Sequence, residues 1–148
     1  MITAYVAGSM NAAAEIRRRC ADLEARAIRV LSTWAHRDES RETYLEIATK
    51  DWFELQRASM VIVNADTASS SGGYHVETGA AIAYEKPVVY ITGEKGTVNV
   101  FAYLPSVSIY KTWPEYLNAL DLARTRGSEQ SRQSVPPSQS GAGKFLTS

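Results

Sequence analysis

The chain has 148 residues and carries sixteen acidic and sixteen basic side chains. That length suits a single domain at roughly 100–200 residues per domain. The balanced charge offers no global field to attract polymeric nucleic acid or an anionic membrane. One cysteine, Cys20, excludes an internal disulfide, and two histidines without a Cys/His cluster give no basis for a zinc or other metal site.

Residues 2–7 are apolar and end at Gly8-Ser9, which reads as a first strand and a turn, with Ser9 or Asn11 placed to cap the next helix. Ala12, Ile16, Cys20, Leu23 and Ala27 recur at helical spacing, which makes Cys20 a core or boundary residue. Residues 28–34 read as a second strand and 35–41 as a polar loop. Tyr44, Ile47, Ala48, Trp52 and Leu55 form another helical stripe. A buried strand over 60–64 then runs into a Ser/Gly loop that opens a small-residue helix, with Glu77 expected in its first turn. A further strand covers 88–92, Gly93-Glu94-Lys95-Gly96 is a turn, and 107–112 alternates as a last strand. Pro114 suits the first turn of a closing helix to about Arg124. From Gly127 the composition shifts to Ser, Gln, Pro and Gly. The expected division is therefore a folded domain over 1–126 and a flexible or surface-draped tail over 127–148. No stretch is long and apolar enough to suggest a membrane span or signal peptide, so a soluble cytoplasmic protein is expected.

Strands alternating with helices predict an α/β fold: a flavodoxin- or Rossmann-like three-layer sandwich on a five-stranded parallel sheet in the order 2-1-3-4-5. In that order the loops after strands one and three meet at a switch point, where ligands bind beyond the carboxyl ends of the strands. Glu77 lies behind the second of these loops. A carboxylate beside a helix start either complements the helix dipole or, kept ionised there, serves as nucleophile or base. Asp51 falls between Ile47 and Leu55 on an otherwise apolar stripe, so it needs a partner, with Lys50 and Arg57 as candidates, or a chemical role. Gly8, Ser9 and Met10 form either an ordinary capped turn or a backbone approach to an anion. Tyr5 reads as a core aromatic and His75 as a helix-face residue. Neither a Walker A pattern nor a G-x-G-x-x-G fingerprint is present, and no cofactor is implied.

Three segments taken together, Tyr5-Val6-Ala7-Gly8-Ser9-Met10, Asp51-Trp52 and Ser71-Gly72-Gly73-Tyr74-His75-Val76-Glu77-Thr78-Gly79, resemble in order and spacing the nucleoside 2-deoxyribosyltransferase family. The resemblance is strongest to its branch of deoxynucleoside 5'-monophosphate N-glycosidases and spans residues 1 to about 120. It implies that Glu77 is the nucleophile, that Tyr5 orients it, and that Asp51 contacts the departing base. Ser71 matches the serine by which the hydrolases contact the 5'-phosphate, where free-nucleoside transferases carry an aspartate. Ser9, with Gly8 and Met10, matches their phosphate loop, Gly73 lies in the second loop, and Ser108 matches a serine donated by a neighbouring subunit. Two departures stand out: Met10 and Asn11 follow Ser9 where the hydrolases often carry an arginine, and the asparagine-rich C-terminal segment of the transferases is missing.

The resemblance therefore implies hydrolysis of the N-glycosidic bond of a (deoxy)nucleoside 5'-monophosphate, releasing free base and (deoxy)ribose 5-phosphate. The alternatives are base exchange on free nucleosides by a deoxyribosyltransferase, or a non-catalytic nucleotide-binding domain. The partners implied are a small nucleotide or nucleoside and further copies of the chain, as a homodimer or higher homo-oligomer. The apolar segment 98–110 is the expected homodimer contact.

Overall fold

A computed structural model describes residues 1–67, 72–94 and 100–133, with side chains up to 130. Its sheet contains β1 (Thr3–Ala7), β2 (Arg29–Val30), β3 (Met60–Asn64), β4 (Val88–Ile91) and β5 (Val107–Tyr110). The strands are all parallel and lie in the order β2-β1-β3-β4-β5, as expected from the alternation of strands and helices. The crossovers are α1 (Ala13–Glu24), α2 (Tyr44–Arg57) and α3 (Gly73–Ala83), and α4 (Trp113–Gln133) follows β5. Trp113 at the start of α4 meets Arg19 and Asp22 of α1, while Trp52 and Gln56 of α2 meet Tyr84 at the end of α3. Helices thus cover both faces of the sheet, and β1 and β3, covered on both sides, are continuous apolar runs, fully buried from Ala4 to Ala7 and from Val61 to Val63.

The expected second strand, 28–34, is cut to Arg29–Val30. After one more backbone bond, from Leu31 N–H to the Ala4 carbonyl at 2.8 Å, side chains replace backbone pairing. Val6 N–H donates to Ser32 Oγ at 3.0 Å, and Trp34 Nε1–H donates to the Val6 carbonyl at 2.7 Å. With β1's edge satisfied in this way, the chain can leave the ladder early and fold a 3-10 turn over Trp34–His36. This departure swings the 34–39 segment over the ends of the strands.

Two further boundaries differ from expectation, at α1 and α4, while α2 starts at Tyr44 as its stripe predicts. Ser9 occupies the cap position of a 3-10 turn (Met10–Ala12), but its side chain makes no capping bond, and α1 begins only at Ala13. The second helix has its own start signal: Thr43 and Glu46 form a reciprocal capping box. The closing helix, expected to end near Arg124, runs to Gln133, so the first residues of the Ser/Gln-rich stretch are helical. Met1–Tyr116 forms one compact unit. Among the described residues no helix is long and apolar enough to cross a membrane.

The ends of β1 and β3 are tied by one side chain. Asn64, fully buried, donates from Nδ2 to the Ala7 carbonyl at 2.9 Å and accepts at Oδ1 from Arg19 Nη1 at 2.5 Å. Arg19 also grips both oxygens of Asp66, at 2.9 and 2.6 Å, and Glu15 at 2.9 Å. Gly8 follows directly: a Cβ there would lie 2.8 Å from Ile16 Cδ1, inside the buried α1 contact. Asn64→Leu keeps the forked shape, with slightly bulkier ends, yet strands the Ala7 carbonyl and one Arg19 N–H. It should cost roughly 3 kcal/mol, measured as a lower urea midpoint with an unchanged slope. A midpoint within error of wild type contradicts this account of the tie.

Candidate active site

A cleft opens beyond the carboxyl ends of β1 and β3. Gly8 and Met10 from the first loop, Trp34 and Glu39 from the segment after β2, Asp51 from α2, and Gly73, Tyr74 and Glu77 from α3 line it, enclosing about 170 Å³. Whole small-molecule pockets begin at roughly 300 Å³, so these residues suit the reacting part of a ligand. A larger cavity of about 250 Å³ on α3, between His75, Ile82, Tyr90 and Phe101, contains no carboxylate. The chemistry points to the smaller cleft.

Glu77 is the fifth residue of α3, so it sits one turn deeper than the first turn expected from the sequence. Gly72, at φ +68°, takes the left-handed cap position before the helix, a conformation suited to glycine. Being deeper changes the electrostatics. Burial pushes the Glu77 carboxyl up from its ordinary 4.5 to about 7, the Asp51 charge adds to the rise, and the hydrogen bond from Tyr5 opposes it. The expectation that the helix start keeps Glu77 ionised therefore gives way to a carboxyl poised near neutrality. Tyr5 Oη donates to Glu77 Oε1 at 2.6 Å. Tyr5 itself is fully buried in the middle of β1, and burial together with the neighbouring carboxylates drives its phenol far above the ordinary range. It stays protonated and remains a donor.

Asp51 does not pair with Lys50 or Arg57. Lys50 bonds Glu42, and Arg57 lies over the Phe53 ring at 5.3 Å. Its partner is Arg37, whose Nη2 reaches Asp51 Oδ1 at 2.6 Å and Glu39 Oε1 at 2.8 Å, with Nη1 4.0 Å from Glu54. Burial raises the Asp51 carboxyl, partly offset by Arg37. Two of the three carboxyl groups lining the cleft, Glu77 and Asp51, are thus each pushed toward protonation by burial and pulled back by a single donor. One of them faces a phenol and the other a guanidinium.

Of the residues singled out from the sequence, Glu77, Asp51, Gly8, Met10 and Gly73 line the cleft together, and Tyr5 stands behind Glu77. Ser9 is buried beside it, with its backbone N–H donating to Thr67 Oγ1 at 3.1 Å. Ser71 lies outside the described residues. Ser108 is exposed on β5 and does not line the cleft. His75 stacks on Tyr74, ring centroids 4.1 Å apart. Cys20 is buried, and burial pushes its thiol up to about 11, a poor nucleophile near neutrality. Sequence reasoning missed Trp34, Arg37, Glu39 and Tyr74. Arg37 and Glu39 sit in a polar stretch without periodicity, and only the early end of β2 brings them over the site.

A doubly wound α/β fold with a carboxyl pair at its switch point narrows the class. The family model for nucleoside 2-deoxyribosyltransferases matches residues 4–125, and the chain belongs to that family. The fold is shared with a Clostridium botulinum CMP N-glycosidase, BcmB, at 23% identity and a TM-score of 0.58, over 82% of this chain and 98% of that one. It is also shared with a conserved protein from Enterococcus faecalis V583 at 16% identity and a TM-score of 0.52, over 91% of this chain and 99% of that one. No curated protein matches the chain.

The raised Glu77 carboxyl has a consequence for stability. The folded protein holds this proton more tightly than the unfolded chain, so the contribution is complete below about pH 4.5 and is lost as pH climbs through about 7. Glu77→Gln cannot ionise and escapes that loss. Relative to wild type, the variant should gain on the order of 2 kcal/mol between pH 4 and pH 8, allowing for partial solvent screening. Thermal melts of both proteins across that range measure it, and parallel curves contradict the buried-carboxyl account.

Proposed function

We propose that the protein hydrolyses the N-glycosidic bond of a (deoxy)nucleoside 5'-monophosphate, releasing free base and (deoxy)ribose 5-phosphate. The observation that carries this reading is a buried carboxyl, Glu77, fixed through one oxygen by the Tyr5 phenol and sharing a cleft with the second carboxyl, Asp51. With Oε1 occupied by Tyr5, Oε2 attacks C1' from the face opposite the base. The C1'–N bond breaks with its electron pair moving to the base nitrogen, which takes the Asp51 proton, and a glycosyl ester forms on Glu77. Water then attacks C1', gives its proton to Asp51, and frees Glu77 as the carboxylate. Tyr5 limits how far burial raises the Glu77 carboxyl, so a usable fraction is ionised at neutral pH.

The start of α3 at Gly73 and the Gly8 turn are the cleft-lining groups suited to an anion. Ser9 and Ser71 are proposed to complete the phosphate contact there. A homodimer in which Ser108 serves the neighbouring cleft is part of the proposal. Val100, Phe101 and Tyr103 are largely exposed just before β5, which supports self-association through this segment. One observation favours base exchange on free nucleosides instead: none of the described cleft residues is basic. The catalytic domain is proposed to cover residues 1–126.

Incubation with a panel of nucleoside and deoxynucleoside 5'-monophosphates and free nucleosides, followed by chromatography for free base, tests the reading. Monophosphates should be cleaved, Glu77→Gln should be inactive while folded, and Ser71→Asp should shift preference toward nucleosides by like-charge repulsion. Base exchange without net hydrolysis points to the transferase; turnover by folded Glu77→Gln removes the mechanism altogether. The pH profile adds a second check. kcat/KM should rise along a limb with an apparent pKa of about 7 as Glu77 ionises. Tyr5→Phe removes the bond that lowers that value, so its limb should move to higher pH and its rate at pH 7 fall about tenfold. An unmoved limb contradicts the role given to Tyr5.

A further inference from the structure

We propose that Glu39 reads the base and selects one carrying an exocyclic amino group; this rests on the glycosidase reading of the same cleft. Glu39 lines the cleft with Asp51, and its side chain is only 15% exposed. Its Oε1 accepts from Arg37 Nη2 at 2.8 Å, the same nitrogen that holds Asp51 at 2.6 Å. Among the described residues Oε2 makes no hydrogen bond. Arg37 keeps Glu39 in place, and a glutamate carboxylate accepts hydrogen bonds and donates none.

The cleft is polarised. Among the lining groups, the helix start at Gly73 and the Gly8 turn tolerate a phosphate, whereas Glu39 and Asp51, held together on one Arg37 nitrogen, repel it. A nucleotide bound with its C1' beside Glu77 therefore places its base toward the two acids. A group facing the free oxygen of Glu39 must donate. The amino group of cytosine does so, whereas the carbonyl that replaces it in uracil presents lone pairs to a carboxylate in a partly buried site. An acceptor placed there loses its water without gaining a partner, and this discriminates strongly.

The test compares kcat/KM for cytidine and uridine 5'-monophosphates, and for the deoxy pair, on wild type and on Glu39→Gln. Glutamine keeps the carbonyl oxygen for Arg37 and can present either a donor or an acceptor to the base. Wild type should favour the amino-bearing substrate about tenfold or more, and Glu39→Gln should bring the ratio to within about threefold of one. A merely structural role would lower both substrates alike and leave the ratio unchanged. A wild-type ratio near one, or an unaltered ratio in the folded variant, overturns the proposal. If Glu39→Gln does not fold by circular dichroism, inhibition of wild type by free cytosine and uracil decides instead, and equal inhibition overturns it. Absence of base release from every substrate removes the glycosidase reading separately. Calorimetric affinities of wild type for the two monophosphates then decide the Glu39 proposal, with equal affinities overturning it.

Discussion

The fully buried amide of Asn64 bridges the ends of the two central strands. It bonds the Ala7 carbonyl on one side and the Arg19 guanidinium on the other. Both loops that shape the cleft leave from this point, one through Gly8 to Met10 and the other past Asp66 toward α3. Parallel strands expose unpaired backbone groups where their ladders end, and in a buried setting these need partners. Asn64 and Arg19 provide them, and Arg19 carries the constraint outward to Asp66 and to the face of Trp113. The geometry at Glu77 depends on these two strand ends staying in register, because Tyr5 and α3 belong to different crossover units.

On that frame the cleft balances two opposed tendencies. Burial excludes water, which strengthens every hydrogen bond and charge inside the site, yet it also disfavours the ionised carboxyls that the proposed chemistry requires. The structure answers with one donor per carboxyl: the Tyr5 phenol for Glu77 and the Arg37 guanidinium for Asp51. The two donors are not equivalent. A phenol fixes an oxygen without cancelling charge, leaving Glu77 near neutrality, whereas the guanidinium supplies a full positive charge to Asp51 and Glu39 together.

The route of the chain after β2 controls how this second arrangement forms. Had the strand continued through Trp34 as its apolar sequence suggests, Arg37 and Glu39 would lie on the sheet's edge, remote from α2. Instead Ser32 and Trp34 bond Val6 through their side chains, the ladder ends after Val30, and the 34–39 segment folds across the strand ends. A single tryptophan therefore satisfies a backbone carbonyl, fills a buried position and forms a wall of the cleft.

The sequence by itself determined the sheet order, the strand over 60–64, the core role of Cys20 and the family, because these rest on local periodicity and on short motifs whose spacing survives without a structure. It also singled out Glu77 and Asp51, a carboxylate behind a conspicuous loop motif and one on an apolar stripe, which the fold brings to one cleft with Tyr5 behind Glu77. It did not determine which groups meet. Lys50 and Arg57 were nearer in sequence to Asp51, yet Arg37, fourteen residues away, is its partner. The placement of Glu77 one turn deeper weakened its expected ionisation, because depth in the fold, and not adjacency to a helix start, sets the solvation of a carboxyl. The helix continuing through Gly127 to Gln133 likewise defied its composition. Pairing, burial and dielectric are properties of positions brought together from several crossover units, so only the tertiary structure could decide them.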